Sequence, residues 1–92
     1  MPRVEIYTKF WCGYCVRAKR LLRRKGIEYE ETDVSFDSEG QRQMIDRAAG
    51  RSTVPQIFID DRHVGGSDEL AAADRDGRLD RWLAGGEPQE AS

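Results

Sequence analysis

Val4-Glu5-Ile6-Tyr7-Thr8 is followed by Cys12-Gly13-Tyr14-Cys15 and then by Val16 to Lys25. A strand pattern here runs into a helical one through the only two cysteines of the 92-residue chain. The first N–H groups of a helix have no partners inside it and point toward the preceding turn. Their partial positive charge favours an anion. A thiolate is an anion, so this position favours the ionised form of the first cysteine. Cys12 is the expected nucleophile and Cys15 its internal trap, a reversible dithiol/disulfide pair. A purely structural disulfide would close a very short loop and stabilise little. A closed zinc site would need two more good ligands, and His63 is the only histidine.

The rest of the chain bounds the reading. Its length fits one domain near the small end of self-sufficient folds. Two Trp, three Tyr and three Phe can fill a modest core. Fifteen basic against seventeen acidic residues give a net charge of −2, so no global basic field favours nucleic acid. No apolar run approaches membrane-spanning length. Met1-Pro2-Arg3 leads straight into a strand pattern, without the apolar stretch of a secretory signal. A reducing cytoplasm is the expected setting, where a cysteine pair is more often catalytic or metal-binding than a staple.

Outward from the cysteines, residues 3–8 read as a strand with Val4 and Ile6 on one face. Residues 14–25 read as a helix, with Cys15, Ala18, Leu21 and Leu22 at helical spacing and basic residues opposite. Gly26 stops it. Residues 27–33 read as a second strand, parallel to the first through a right-handed crossover. Ser38 and Gln41 have the spacing of a capping box for a second helix, ending at Gly50. Gln56-Ile57-Phe58-Ile59, Asp60-Asp61 and Arg62-His63-Val64 read as an antiparallel hairpin. Ser67 or Asp68 is placed to cap a short helix through Ala73. A last helix, about 78–83, carries Leu79, Trp82 and Leu83 at i, i+3, i+4. The order β-α-β-α-β-β-α-α suits a four-stranded mixed sheet flanked by helices, whose strand order the pattern does not give. Residues 1–84 form the domain, and 85–92, without apolar periodicity, read as a flexible tail.

Four stretches together resemble the signatures of glutaredoxins: Glu5-Ile6-Tyr7-Thr8-Lys9, Cys12-Gly13-Tyr14-Cys15, Thr53-Val54-Pro55-Gln56-Ile57-Phe58-Ile59 and Gly65-Gly66-Ser67-Asp68-Glu69-Leu70. They occur in the family's order and cover about residues 3–83. The resemblance is closest to small bacterial dithiol members. It implies the thioredoxin fold and a glutathione-dependent thiol–disulfide oxidoreductase. Such an enzyme reduces glutathionylated proteins and protein disulfides through Cys12, with Cys15 resolving.

The resemblance also implies a groove for glutathione. Lys9 lies beside the sulfur and helps bind a carboxylate, though read alone it is a solvated loop lysine. The Tyr14 ring flanks the groove, or is simply an exposed aromatic at a helix start. Thr53-Val54-Pro55 resembles a loop whose proline is cis, exposing the Val54 backbone to pair with glutathione as an added strand does. Gly66 allows close backbone approach. Ser67 and Asp68 hold the γ-glutamyl end, a role compatible with N-capping. Arg42, by ungapped counting back from Thr53, aligns with a position contacting the glycine carboxylate, although a helix-surface arginine is usually solvated. Trp11 either flanks the groove or covers the sheet edge; Phe10 reads as packing, and His63 as an exposed strand histidine without an acid–base role.

Gly13 stands where the family commonly has proline, and Ser67 where some relatives have cysteine. The first departure motivates a rival reading: an iron–sulfur carrier in which Cys12 of two chains and two glutathiones ligate a 2Fe–2S cluster. Without a cluster a monomer is expected. A second rival is a redoxin reduced by a flavoenzyme such as thioredoxin reductase, against which Lys9, Thr53 and Asp68 argue. The physiological substrate and redox potential have no signature in these residues.

Overall fold

The computed structural model describes residues 2–84. The expected tail at 85–92 lies outside the described residues. The elements are β1 (Val4–Thr8), α1 (Gly13–Arg24), β2 (Glu30–Asp33), α2 (Ser38–Arg47), β3 (Gln56–Ile59), β4 (Arg62–Gly65), α3 (Ser67–Arg75) and α4 (Arg78–Leu83). The sheet order is β2-β1-β3-β4. β1 pairs parallel with β2 and antiparallel with β3, and β3 pairs antiparallel with β4.

Alternation along the two central strands builds a core on each side of the sheet. Val4, Ile6, Ile57 and Ile59 face one way and pack with Ala18, Leu21 and Leu22 of α1, Leu70 and Ala73 of α3, and Leu79 of α4. Tyr7 and Phe58 face the other way and pack with Val34, with Met44 of α2 and with Ala48. The antiparallel register sets Ile6 opposite Ile57 and Val4 opposite Ile59, so apolar residues stack across the strand pair.

Several boundaries differ from the sequence reading, each for a hydrogen-bonding reason. α1 starts at Gly13 because Cys12 occupies the N-cap, and it ends at Arg24. Its end is a Schellman motif. Gly26, at φ 73°, donates to Arg23 O, and Ile27 donates to Leu22 O. With the Ile27 amide spent on the helix, the β2 ladder begins only at Glu30, not at residue 27. α2 is capped by Asp37, whose carboxylate accepts from the Gly40 amide at 2.9 Å. Ser38 is therefore its first helical residue, and the Gln41 side chain donates to Val34 O instead. α2 stops at Arg47, before two left-handed residues, Ala49 and Gly50. α3 is capped by Gly66 rather than Ser67 or Asp68 and continues to Arg75. The hairpin turn at Asp60-Asp61 has positive φ at both residues, matching the right-handed twist of the strands.

Arg47 clamps α2 to the sheet. Its guanidinium donates to both carboxylate oxygens of Glu5, at 2.9 and 3.3 Å, to the Tyr7 hydroxyl at 3.0 Å and to Asp61 at 3.1 Å. It also lies 4.1 Å from the Phe58 ring centre. The bonds to Glu5 hold its pKa above the ordinary arginine value. Replacing Arg47 with alanine leaves the Glu5 carboxylate, whose side chain is only 19% exposed, with no cation among the described residues but Arg3 at 3.7 Å. The Arg47→Ala protein should be less stable by about 2 kcal/mol. Urea unfolding measures this, and an unchanged midpoint would show that the clamp contributes nothing.

Candidate functional site

The strand directions bring four loops to one edge of the sheet: those after β1, β2 and β4, and the one before β3. Cys12 stands in the middle of this edge. Its backbone is extended, at φ −109° and ψ 109°, and its carbonyl accepts the first helical bond from Val16 at 3.1 Å. Its sulfur takes the role an N-cap oxygen usually has and accepts from the Cys15 amide at 3.3 Å. On its other side the sulfur lies 3.8 Å from the Val54 carbonyl oxygen, to which the thiol can donate. Cys12 is half-buried and free.

Cys15 is one turn further along α1 and only 2% exposed. Burial pushes its thiol up to about 12, and its hydrogen bond with Cys12 pushes the same way. A bond from the Lys9 backbone opposes this without cancelling it. The two thiols are thus unequal: one half-open at a helix start, the other enclosed and holding its proton.

Beside Cys12 opens a groove of about 280 Å³. Tyr14, Thr53, Val54, Pro55, Gly66, Ser67 and Asp68 line it, together with Arg51 and Glu69. The Val54–Pro55 peptide bond is cis. The sequence-selected residues Lys9 and Arg42 do not line the groove. Arg42 stands on the α2 surface with its side chain 71% exposed, paired with Glu39 at 3.3 Å. Ser67 is buried at the first turn of α3, and Asp68 is exposed.

The sequence reading missed Arg51 and Glu69. Glu69 accepts from the Gly66 amide at 2.7 Å, and this bond holds its carboxyl below the ordinary value. Its second oxygen pairs with Arg51 at 3.4 Å. Gly65, at φ 119°, lies against this side chain; a Cβ there would sit 3.0 Å from the Glu69 Cβ and Cγ. The spacing of Gly66 and Glu69, cap to third helical residue, was the available signal. Arg51 had none beyond standing two residues before Thr53.

His63 is a correction. It is not exposed but half-buried, stacked on Phe58 at 5.0 Å. Burial, aided by the nearby Arg51, lowers its pKa. Its Nε2 lies 2.6 Å from Gln56 Oε1, an acceptor, so Nε2 carries the proton. Fully buried Gln56 in turn donates from Nε2 to the Thr53 carbonyl at 3.0 Å and its hydroxyl at 3.2 Å. A chain of bonds thus runs from β4 through β3 to the groove wall.

The unequal thiols have a measurable signature. Above the ordinary thiol value of 9.0 an unfolded chain gives up the Cys15 proton, whereas the folded protein keeps it to about pH 12. Folding stability should therefore decline as pH rises through this interval. In Cys15→Ala the decline should be shallower than in the parent protein, as chemical denaturation at stepped pH would show. Parallel slopes would mean that Cys15 titrates normally.

The comparisons agree with this geometry. Residues 4–64 match the Glutaredoxin family model. Glutaredoxin 3 of Escherichia coli is 51% identical over 83 residues, covering 90% of this chain and 99% of its own length. The glutaredoxin of Pseudomonas aeruginosa is 49% identical over 85 residues, covering 91% and 99% respectively. The solution structure of glutaredoxin from Brucella melitensis superposes with a TM-score of 0.82 at 49% identity, covering 96% of this chain and 95% of that one. A buckwheat glutaredoxin–glutathione complex does so with a TM-score of 0.80 at 32% identity, covering 90% and 77%. A thioredoxin-type sheet, a dithiol at the start of its first helix and relatives at this identity lead to one assignment: the chain belongs to the glutaredoxin family, the glutathione-dependent thiol–disulfide oxidoreductases.

Proposed function

We propose that this enzyme reduces glutathionylated polypeptides, and also protein disulfides, with Cys12 as nucleophile. The observation that carries the proposal is the Cys12 sulfur, 3.8 Å from the carbonyl of Val54, a residue of the groove wall. A tripeptide laid against Val54 would have its own sulfur next to Cys12. Its cysteine backbone would pair with the Val54 N–H and C=O as an added strand does. Its γ-glutamyl carboxylate would meet the free amides at the start of α3, and its ammonium would meet Asp68. Tyr14 and Thr53 would close the sides. The buckwheat relative, solved as a glutathione complex, supports such an occupant.

The Cys12 thiolate attacks the glutathione sulfur of the mixed disulfide, and the polypeptide thiolate leaves with the bonding pair. A second glutathione thiolate then attacks the glutathione sulfur held on Cys12. Glutathione disulfide departs and Cys12 is restored. The polypeptide cysteine is reduced and one free glutathione is oxidised, leaving in a disulfide with the glutathione that the substrate carried. With a protein disulfide, Cys12 binds one polypeptide sulfur and Cys15 displaces it, leaving a Cys12–Cys15 disulfide for two glutathiones to reduce. A reducing compartment such as the cytoplasm supplies that glutathione; no helix among the described residues is long and apolar enough to cross a membrane.

The iron–sulfur reading finds less to rest on. One chain offers one half-open thiol, so three of four cluster ligands would come from outside it. Gly13, with open space around its Cβ position, neither supplies a ligand nor demands glycine.

In a glutathione-coupled assay Cys12→Ser should lose at least about 10³-fold in rate. Cys15→Ser should keep most activity on a glutathione mixed disulfide and lose it on a protein disulfide. Equal losses on both substrates would remove the separate roles. On this reading one carboxylate of glutathione falls to Arg51, which lines the groove, rather than to Arg42, which does not. Arg51→Glu should then raise KM by about tenfold or more, the worth of one charge-assisted bond, while Arg42→Glu changes it little. The reverse ranking would return the role to α2.

A further inference from the structure

The topology fixes the order of loops along the active edge. Across the sheet stand the Ser35–Phe36 loop after β2, Phe10–Cys12 after β1, Val54–Pro55 before β3 and Gly66–Asp68 after β4. The groove occupies the β3–β4 side of Cys12. The β2 side carries three aromatic rings instead. Phe10 is 56% exposed, Trp11 93% and Phe36 88%. The Phe10 ring meets Trp11 edge-on at 6.2 Å and Phe36 at 5.6 Å. The two loops are tied together, since the Phe10 amide donates to Ser35 Oγ at 2.8 Å. Ser35 is itself held by Asp33, also at 2.8 Å.

Folding does not account for these rings. None belongs to either core. Trp11 adopts a left-handed backbone conformation, φ 63°, uncommon for a bulky side chain. An unfavourable conformation thus presents a nearly fully exposed indole next to the nucleophile, and strain so placed points to function. Contiguous exposed aromatics mark surfaces that bind polypeptides.

We propose that Phe10, Trp11 and Phe36 dock the polypeptide half of the disulfide substrate, selecting segments with a large apolar side chain beside the reacting cysteine. The proposal rests on the reading of Cys12 and the groove given above. A mixed disulfide has two halves, and both must reach the Cys12 sulfur. Glutathione on the β3–β4 side leaves the β2 side for the polypeptide. What that side offers is apolar, so the matching chemistry is a leucine, phenylalanine or similar residue adjacent to the modified cysteine.

Three glutathionylated substrates test this: a short peptide with leucine and phenylalanine flanking its cysteine, the same peptide with serine and aspartate there, and the mixed disulfide of glutathione with 2-mercaptoethanol. The parent protein should favour the apolar peptide over the polar one by about tenfold in kcat/KM, the worth of burying one large apolar side chain. Phe36→Ser and Trp11→Thr should each bring that ratio toward one. Phe36→Ser should leave turnover of the mercaptoethanol substrate within about twofold, since Phe36 is exposed and outside both the groove and the core. Equal rates of the two peptides with the parent protein would overturn the proposal, as would a Phe36→Ser loss shared by all three substrates. Titration of Cys12→Ser with the reduced apolar peptide, followed by the indole NMR signals, provides a readout independent of turnover. The Trp11 signal should move and that of Trp82 should not; an unmoved Trp11 overturns the docking surface. If the parent protein fails to turn over the mercaptoethanol substrate, the groove reading fails, and the titration alone decides the docking. A concentration-dependent dimer dispersed by Phe36→Ser would assign the patch to a second copy of the chain and overturn the proposal.

Discussion

The antiparallel register of β1 against β3 is the constraint on which the site depends. Ile6 opposite Ile57 and Tyr7 opposite Gln56 place the loop entering β3 alongside the loop leaving β1. Val54 and Cys12 come together only in this register. A slip of one residue would turn Ile57 and Ile59 to the face of Tyr7 and expel Phe58 from its core. It would also carry the Val54 carbonyl about 3.3 Å along the strand, beyond reach of the sulfur. Two filled cores, one on each side of the sheet, forbid that slip. Accuracy at the thiol is therefore maintained by side chains far from it.

The groove is built the same way, by elements whose own hydrogen bonds need satisfying. Glu69 caps α3 through the Gly66 amide and, in doing so, orients Arg51 across the groove. Gln56 must find partners for a buried amide, and it finds them in His63 and Thr53. A buried amide left unpaired would cost about 1–3 kcal/mol. The same bonds that avoid this cost fix the groove wall.

Local patterns were legible in the sequence because they rest on near neighbours. The strand-to-helix turn at Cys12, the apolar face of Ala18, Leu21 and Leu22, and the hairpin at Asp60-Asp61 all emerge from spacing alone. Asp37 was overlooked because Ser38 and Gln41 imitate a capping box one position later, and only geometry shows which side chain reaches the amide. The start of β2 was misplaced because Ile27 and Tyr29 do pack on the core, while the Ile27 amide belongs to α1. Strand order, the Arg51–Glu69 pair and the His63–Gln56–Thr53 chain join residues brought together by tertiary pairing. No window of sequence contains them. Family resemblance named seven residues that line the groove, and also Lys9 and Arg42, which are not among its lining residues.

In the proposed cycle the enclosed proton on Cys15 would act as a timer. With its thiol pushed up to about 12, Cys15 stays protonated at neutral pH. Two influences hold that proton: burial, and the hydrogen bond with a free Cys12. The second ends when the Cys12 sulfur enters a bond with a substrate, so the proton loosens after capture and not before. In the proposed cycle, the interval before Cys15 can respond is the interval in which dissolved glutathione competes for the same sulfur. The depth of one side chain beneath the surface thereby divides the traffic between two chemical routes. Cellular glutathione concentration, not a change in the protein, would tip that division.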